Sequence, residues 1–462
     1  MELVREVDMW LSELRAVFRR QATFGWFVLS IWAFLLHFDG SGLSSLIRYF
    51  GLASSEYYNL LHFFHSSAFG VQELCVRWAQ LLLSKAPVLH LEGQPVYVVD
   101  GLVAGKAGKK MPGVKTLHQA SENNNKPEFV MGHFWGALSM LAQAGGRLFA
   151  VPMRFSIQDG VKASPSQKST HITRMHEMVT ATAQRVGTVL ADCQYACRPF
   201  IEGLLSAGFH LIARIRLNTV AFEPAPKAQG RKRGRPKKYG KKVALQELFS
   251  RKKLFRSVEV ELYGRQQQAL LYEVVLYWQT RLVKFVLSVD DKGRKAIFLS
   301  TRTTLSAEAI VVAYGWRFKI EVSFKALVER MFAFCYRFWM KAMDKRKRGD
   351  GDQFLHRAGK HYRQKVARKM EAYERFVNIA AIGLGLLQML SLRYAEQVWA
   401  GLPLWFRTLR KEAGPSENIV RATLQAEVDR ISASNEQGSL LAKILALRSK
   451  APLAPHPLKW AA

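Results

Sequence analysis

Apolar residues at helical spacing fill residues 1–88 of the chain, which predicts an all-helical region. Within it, residues 43–64 contain two helical stretches separated by Gly51, with Ser54 or Ser55 as the candidate N-cap of the second stretch. A plain helical hairpin and a helix-turn-helix both fit this pattern. The choice between them stays open at the level of sequence.

From residue 89 the pattern changes to short β-branched runs bounded by glycine, proline or charged residues. These runs are predicted strands at residues 95–105, 147–155, 187–193 and 209–217. Helical stretches at residues 171–186 and 195–206 lie between the later runs. Strands followed by alternating helix and strand predict an α/β domain with a mixed sheet.

Two basic segments and a β-rich stretch follow. Residues 227–242, "KAQGRKRGRPKKYGKK", have no apolar pattern and are expected to form a flexible basic loop. Residues 254–300 contain consecutive strand-like runs without helices between them, which predicts an antiparallel β insertion. A second basic run, residues 341–353, precedes a helical C-terminal part.

The segment 313–329 is predicted to be one half-buried helix that presents a carboxylate between two cations. Tyr314, Arg317, Glu321 and Lys325 lie on a stripe roughly 80° wide at helical geometry. The neighbouring stripe is apolar and is expected to face the core, with Trp316, Ile320, Phe324, Leu327 and Met331. An ordinary ladder of charge pairs on a helix surface is the alternative interpretation.

The charge of the chain indicates a polyanionic partner. The 462 residues include 68 lysine and arginine against 36 aspartate and glutamate, a net charge of +32. Nucleic acid is favoured over an anionic membrane because the charge is spread along the chain. Residues 227–242 hold nine cations and no acid, so the rest of the chain still carries +23.

The cysteines and the apolar segments bear on the cellular location of the protein. Cys193 and Cys197 form a lone CxxxC without a second pair at zinc-site spacing, so reduced thiols are expected rather than a metal knuckle. The N-terminus lacks the pattern of a signal peptide. Residues 24–37 are too short to span a membrane, and residues 376–392 suit a buried core helix. We therefore expect a soluble, cytoplasmic protein without a membrane partner.

Three acidic residues are candidates for chemistry. Asp100 ends the predicted strand "VYVVD" and Asp192 ends "GTVLAD", where α/β sheets expose functional groups. A helix packed on the same sheet could bring Glu321 beside them, although each acid alone could be a strand-end cap. Three carboxylates without a histidine or thiolate make a hard-oxygen site for Mg²⁺ or Mn²⁺. In a basic protein, two such ions suggest phosphodiester chemistry.

These residues resemble the bacterial insertion-sequence transposases of the DDE type, which have an RNase H-like catalytic core. One group of that family has the motif Tyr-x2-Arg-x3-Glu-x6-Lys, and Tyr314, Arg317 and Glu321 match its first three positions. The fourth position is Val328, a departure from the family pattern. Lys325, one turn earlier on the same stripe, is the candidate to replace that lysine.

Two further motifs extend the resemblance to roughly residues 95–345. "VLADCQYACRPFIEGLLSAGFHLIARIRLN" resembles the second motif, with Asp192 and Tyr195, and "VYVVDGLV" resembles the first, with Asp100. A β-rich insertion before the last acid is typical of this group. The 128 residues between Asp192 and Glu321 leave room for one.

The resemblance implies an α/β fold: an RNase H-like mixed sheet with helices, interrupted by an antiparallel β insertion and flanked by helical N- and C-terminal regions. It implies two Mg²⁺ (or Mn²⁺) ions as cofactors, and a homodimer that joins transposon ends to target double-stranded DNA near the bacterial nucleoid. The residues that it assigns to catalysis and metal binding are Asp100, Asp192 and Glu321. Those that it assigns to DNA phosphate are Tyr314, Arg317 and Lys325.

Two other functions are compatible with the same residues. One is an RNase H-like nuclease that cuts DNA without strand transfer. The other is a non-catalytic DNA-binding protein from a degenerate element, although such a protein would not need three aligned acids. The regions expected along the chain are a helical DNA-binding region (1–88), the catalytic core (89–222 and 301–345), a basic loop with the β insertion (223–300) and a helical region (346–462).

The loop 227–242 is a separate candidate for DNA contact. Its cations Arg231, Lys232, Arg233 and Arg235 are expected to meet DNA phosphates without sequence preference. The sequence from Arg233 to Pro236 also resembles the AT-hook core, which places arginines in a narrow minor groove. Both interpretations remain open.

Overall fold

The computed structural model of the protein describes most of the chain. The described residues are 2–36, 42–118, 127–226, 237–262, 264–403, 405, 409, 411–433 and 439–448. The helices are α1 (Glu2–Glu13), α2 (Gln21–Leu36), α3 (Leu43–Tyr49), α4 (Glu56–His65), α5 (Val71–Lys85), α6 (His171–Thr182), α7 (Arg198–Ser206), α8 (Ala307–Trp316), α9 (Phe318–Glu329), α10 (Lys360–Arg393), α11 (Ala395–Gly401), α12 (Glu417–Ala433) and α13 (Leu440–Ala446).

Most strands lie between residues 90 and 300, where the sequence predicted a sheet. They are β1 (His90–Leu91), β2 (Gln94–Gly105), β3 (Lys115–His118), β4 (Phe129–Ala144), β5 (Arg147–Ile157), β6 (Val161–Lys162), β7 (Thr188–Ala191), β8 (His210–Ile215), β9 (Val220–Pro224), β10 (Tyr239–Ala244), β11 (Arg256–Leu262), β12 (Arg265–Trp278), β13 (Arg281–Asp290), β14 (Lys295–Ser300) and β15 (Gln353–Phe354).

The chain divides into two compact units. Unit 1 comprises Met1–Leu89, Gly101–Gln184 and Val322–Ala462, and unit 2 comprises His90–Asp100 and Arg185–Glu321. Strand β2 and helix α9 each contribute residues to both units.

Unit 2 is built on a mixed sheet. Strands β2, β7 and β8 are parallel neighbours, with Val98 opposite Leu190 and Leu190 opposite Ile212. Strand β14 then pairs antiparallel with β8, and β13, β12 and β11 add further antiparallel strands. Strands β9 and β10 pair with each other and join this sheet through β12. The prediction of a loop over residues 227–242 is wrong at its end, because residues 239–242 belong to β10 and pair with β9. The predicted antiparallel insertion is therefore confirmed, and it extends the sheet that it interrupts.

Unit 1 combines an antiparallel sheet with most of the helices. Strands β4 and β5 form a long antiparallel pair over Trp135–Ala144, and β3 pairs antiparallel with the first residues of β4, Phe129–Gly132. Helix α10 packs against β5 and against α2, α4 and α12. The antiparallel strands β3, β4 and β5 and the parallel strands β2, β7 and β8 belong to one large mixed sheet. The predicted fold class is therefore confirmed.

Strand β4 is the longest strand that the sequence pattern did not reveal. Its sequence, "FVMGHFWGALSMLAQA", lacks the alternation of a half-buried strand because residues 137–142 are all buried. A strand covered on both faces shows a continuous apolar run rather than a period of two. Several small residues weaken the β-branched signal further.

Helix α10 confirms the predicted core helix at residues 376–392. In the described part of the chain it is the one helix long and apolar enough to cross a membrane, with a mean hydropathy of 1.5 over its most apolar window. That window is 100% buried inside the protein. The polar side chain of Asn378 is tolerated in this buried helix because its amide donates hydrogen bonds to Phe155 O and Glu374 O, both at 2.8 Å.

The helical pair predicted within residues 43–64 is present as α3 and α4. Gly51 lies in the turn between them with φ +59°, a conformation that favours glycine. Ser55 is the N-cap residue of α4, although its side chain makes no capping hydrogen bond. Whether this pair reads DNA stays a prediction.

The single helix predicted over residues 313–329 is wrong in one respect, because the segment is divided at Arg317. Helix α8 ends at Trp316 and α9 begins at Phe318. The N–H of Arg317 donates to Tyr314 O at 3.0 Å and that of Ile320 donates to Arg317 O at 3.1 Å, which are the tighter bonds of a 3₁₀ turn. Arg317 keeps helical dihedrals (φ −51°, ψ −36°), so its spacing to Glu321 is preserved.

The predicted apolar stripe of this segment is largely confirmed. Ile320, Phe324, Leu327 and Met331 are buried, whereas Trp316 is only half-buried. The opposite side of α9 is exposed and includes Lys325.

Candidate active site

The first two acids lie on neighbouring strands of unit 2. Strands β2 and β7 run parallel with Val96 opposite Thr188 and Val98 opposite Leu190. Asp100 and Asp192 each follow two positions later, so the register places them side by side. Strand β2 confirms the strand predicted over residues 95–105, so the expectation that Asp100 ends its strand is wrong. The strand continues because its later residues pair with β4 in unit 1.

Asp192 lies where β7 ends. It is the N-cap residue of a 3₁₀ helix, Cys193–Tyr195, and its carbonyl accepts the N–H of Tyr195 at 3.0 Å. This turn leaves the Asp192 side chain half-buried, and it makes no ion pair within 4 Å with any described residue. The carboxylate therefore remains accessible beside Asp100.

Arg317 joins the first acid to the third. Its Nη1 lies 2.7 Å from Asp100 Oδ2, and its Nη2 lies 2.6 Å from Glu321 Oε1. The side chains of Arg317 and Asp100 are only 15% and 14% exposed, whereas that of Glu321 is 42% exposed. The planar guanidinium thus holds two carboxylates at once, which a lysine could not do with the same geometry.

Local sequence explains why Glu321 reaches this position. Ser306 caps α8 by accepting the N–H of Ala309 at 3.1 Å. After the turn at Arg317, Glu321 falls in the first turn of α9, where the helix dipole favours a carboxylate. The i,i+4 spacing then brings it to the Arg317 fork.

The electrostatics of the site follow from burial and from the acids. Burial alone would lower the pKa of Arg317, but Asp100, Tyr314, Glu321 and Asp192 together raise it above its usual range. Burial raises the pKa of Tyr314 to about 12, so this phenol stays protonated at neutral pH. Its ring packs against Phe298, with the ring centroids 4.9 Å apart, and the guanidinium carbon of Arg317 lies 5.8 Å from the Tyr314 ring centroid.

Tyr195 adds a buried polar atom to the site. Its hydroxyl has no hydrogen-bond partner among the residues that the structure describes. Burial, followed by the charges of Asp100 and Asp192, raises its pKa well above the usual range. A buried hydroxyl without a partner costs free energy, so a polar group bound beside the two aspartates would satisfy it.

The donor set fits a hard divalent cation. Asp100, Asp192 and Glu321 offer carboxylate oxygens, which are the ligands that Mg²⁺ and Mn²⁺ prefer. The guanidinium of Arg317 supplies positive charge between two of them. The described residues contain no group of three acidic, histidine or cysteine side chains already arranged to hold an ion. The three carboxylates are suitable ligands for such an ion. In this structure the positive charge between Asp100 and Glu321 is that of the Arg317 guanidinium.

Two arginines that the sequence analysis did not single out lie near Tyr314 and Cys193. Arg214 on β8 interacts electrostatically with Tyr314, and both Arg214 and Arg216 interact with Cys193. Both side chains are exposed. Their alternate positions in "IARIRL" were the available signal, since residues two apart on a strand share a face.

The remaining predicted DNA-binding residues are not part of this cluster. Lys325 belongs to unit 1, its side chain is 72% exposed, and its Nζ lies 3.9 Å from Glu329. Val328, at the position of the motif lysine, is exposed as well. Arg231, Lys232, Arg233 and Arg235 lie outside the described residues.

Comparison with known proteins gives the class of this molecule. The family model described as DDE superfamily endonuclease matches residues 13–268, which is more than half of the chain. The chain therefore belongs to the DDE superfamily endonucleases. The matched region contains Asp100 and Asp192 and ends before Arg317 and Glu321.

A solved structure is also similar to the chain. It is the cryo-EM structure of a piggyBac transposase synaptic complex with hairpin DNA, with 11% sequence identity and a TM-score of 0.39. The similarity covers 99% of this chain and 84% of that chain. No curated protein sequence matches the chain.

Proposed function

We propose that this endonuclease is a DNA transposase that cuts at the ends of its insertion sequence and joins the released 3′-hydroxyls to target DNA. One observation carries the proposal: a Tyr-x2-Arg-x3-Glu sequence whose arginine binds both its own Glu321 and Asp100, beside Asp192 on the neighbouring strand. The net charge of +32 supports DNA as the substrate.

The residues of the site receive distinct roles in this proposal. Asp100, Asp192 and Glu321 would hold two Mg²⁺ or Mn²⁺ ions. Such ions favour deprotonation of the attacking hydroxyl and offset charge on the leaving oxygen. Arg317 would turn its fork from the carboxylates to the scissile phosphate, and Tyr314 would donate a hydrogen bond from its neutral hydroxyl.

The proposal extends to assembly and organisation. Two copies would hold two transposon ends in a synaptic complex, in the cytoplasm at the nucleoid. Lys325 would meet DNA phosphate in place of the lysine that Val328 replaces. We retain the division of the chain at residues 88, 222, 300 and 345 as part of this proposal.

The decisive experiment uses labelled DNA that carries the element's own ends. We expect cleavage with Mg²⁺, no cleavage with EDTA, and covalent joining of the labelled 3′ end to a supercoiled target plasmid. Cleavage without a joined product would show that the protein is a nuclease and not a transposase. Binding without cleavage, whichever divalent ion is added, would show that the protein is a non-catalytic DNA-binding protein.

The basic loop provides a separate prediction. Replacing Arg231, Lys232, Arg233 and Arg235 by alanine should weaken binding to A·T-rich and G·C-rich duplexes by similar factors. The log–log salt dependence should also flatten by up to about 0.9 per lost phosphate contact. Affinity would be measured on both duplexes at two salt concentrations.

A matched control replaces four exposed cations outside the loop by alanine, namely Arg251, Lys252, Lys253 and Arg265. We expect the control to change affinity less than the loop variant does. A loss confined to A·T-rich DNA would instead identify the loop as a minor-groove hook, because narrow grooves attract arginine more strongly.

A further inference from the structure

A strongly basic segment of unit 1, residues 337–369, lies outside the carboxylate cluster. We call it the basic module. It contains twelve lysine and arginine residues and three aspartates, a net charge of +9, and all of its residues are described. This charge density exceeds that of the whole chain, so the module is a candidate surface for a polyanion.

The basic module is a fixed structure and not a loose tail. Met340, Met343, Leu355 and Val366 form a small hydrophobic core of their own. Val161, Tyr362 and Met370 pack against that core. The core fastens the first part of the module to the start of α10, so its cations have defined positions.

Hydrogen bonds fasten the module to a second basic segment. The N–H of Met340 donates to Lys110 O at 2.9 Å, and that of Arg346 donates to Lys109 O at 2.7 Å. The N–H of Thr116 donates to Asp350 O at 2.9 Å. The cations of residues 106–115 therefore lie next to those of the module.

Two of the three module acids are already paired. Asp352 lies 2.7 Å from Lys115 Nζ and 2.6 Å from Lys162 Nζ, and these lysines lower its pKa despite its partial burial. Asp350 lies 3.5 Å from Arg346 Nε. The exposed cations around these pairs keep their charge available to a partner, and they include Arg337, Lys341, Lys345, Lys347, Arg348 and Arg357.

The basic module also contains an exposed tryptophan, Trp339. It is 63% exposed, although its neighbours Phe338 and Met340 are only 4% exposed. The indole lies against Gly108, since a Cβ atom built on that glycine would be 3.0 Å from Trp339 Nε1. Most of Trp339 is therefore exposed to solvent, between the exposed cations Arg337 and Lys341 in the sequence, although exposure of apolar area has a cost.

We propose that the basic module binds DNA at a point where a base is unpaired, and that Trp339 stacks on that base. The cations suit the phosphate backbone, and an indole face suits a base because stacking is tolerant of sequence. In an intact duplex the base faces are covered by their neighbours, so only an unpaired or extruded base can use Trp339. The inference rests on the proposed function in that DNA is the polyanion.

The test compares two DNAs in EDTA, so that it does not depend on cutting or joining. One is a fully paired duplex, and the other carries a single unpaired 2-aminopurine, whose fluorescence falls on stacking. We expect the intact protein to quench the 2-aminopurine and to bind this DNA more tightly than the duplex. Trp339→Ala should remove the quenching and weaken binding to it by about 5- to 150-fold, with duplex affinity changed less than about 2-fold.

Three further variants complete the experiment. Trp339→Phe should restore part of the quenching, because a smaller aromatic ring still stacks. Lys345→Ala combined with Arg348→Ala should weaken both DNAs, since phosphate contacts are shared. Trp405→Ala, which removes an indole that is 83% exposed elsewhere in unit 1, should change neither.

Two results would overturn the inference. One is unchanged quenching and affinity for Trp339→Ala. The other is an equal loss on both DNAs, which would assign Trp339 to packing or to a protein partner. A protein that cuts no DNA could still pass this test, so its outcome is separate from that of the proposed function.

Discussion

Asp100→Asn, Asp192→Asn and Glu321→Gln are each expected to reduce DNA cleavage by on the order of 10³-fold or more, because each removes a charged ligand worth several kcal/mol in the transition state. Affinity for DNA should change little, since it depends mainly on the many lysine and arginine contacts to phosphate. Single-turnover cleavage and equilibrium binding, measured on the same labelled DNA, check both statements.

Glu329→Gln is the matched control for these variants. Glu329 lies on the same helix as Glu321, and its side chain is 57% exposed and 3.9 Å from Lys325 Nζ. We expect this variant to keep full cleavage. Substantial cleavage by any of the three acid variants would contradict the assignment of the carboxylates to the active site.

Arg317→Ala is expected to lower cleavage by on the order of 10²–10³-fold, the usual effect of removing one donor that stabilises transition-state charge. The same change leaves the 14%-exposed Asp100 without the cation that lies 2.7 Å away. We therefore expect the metal-free protein to lose about 2 kcal/mol of stability, less than for a fully buried pair. Thermal unfolding in EDTA measures this loss.

Arg317→Lys separates charge from geometry. It keeps a cation between Asp100 and Glu321, so stability in EDTA should fall less than for Arg317→Ala. It loses the two-pronged fork, so cleavage should remain low. Addition of Mg²⁺ should raise the melting temperature of Arg317→Ala more than that of the intact protein, since the ion then takes an empty place. An equal rise in both proteins would refute the view that Arg317 stands in for a cation.

The sequence determined the local elements and the chemical types of the site. The runs that became β2, β7 and β8 were recognisable because β-branched residues bounded by glycine or charge form short buried strands. The i,i+4 spacing of Arg317 and Glu321 placed them on one stripe, and their contact at 2.6 Å is the one that the alternative interpretation, a ladder of charge pairs, predicts. Spacing along one chain segment is sufficient for such contacts.

Only the tertiary structure decided how distant segments meet. Strand β4 was hidden in the sequence because burial on both faces removes the alternation that marks a strand. The local pattern predicted a strand over residues 95–105, but not that its residues after Asp100 pair with β4, about 30 residues later in the chain. The contact of Arg317 with Asp100 joins residues 217 positions apart. Local preferences fix dihedral angles and faces, whereas the register between strands and the partners of a side chain depend on the packing of the whole core.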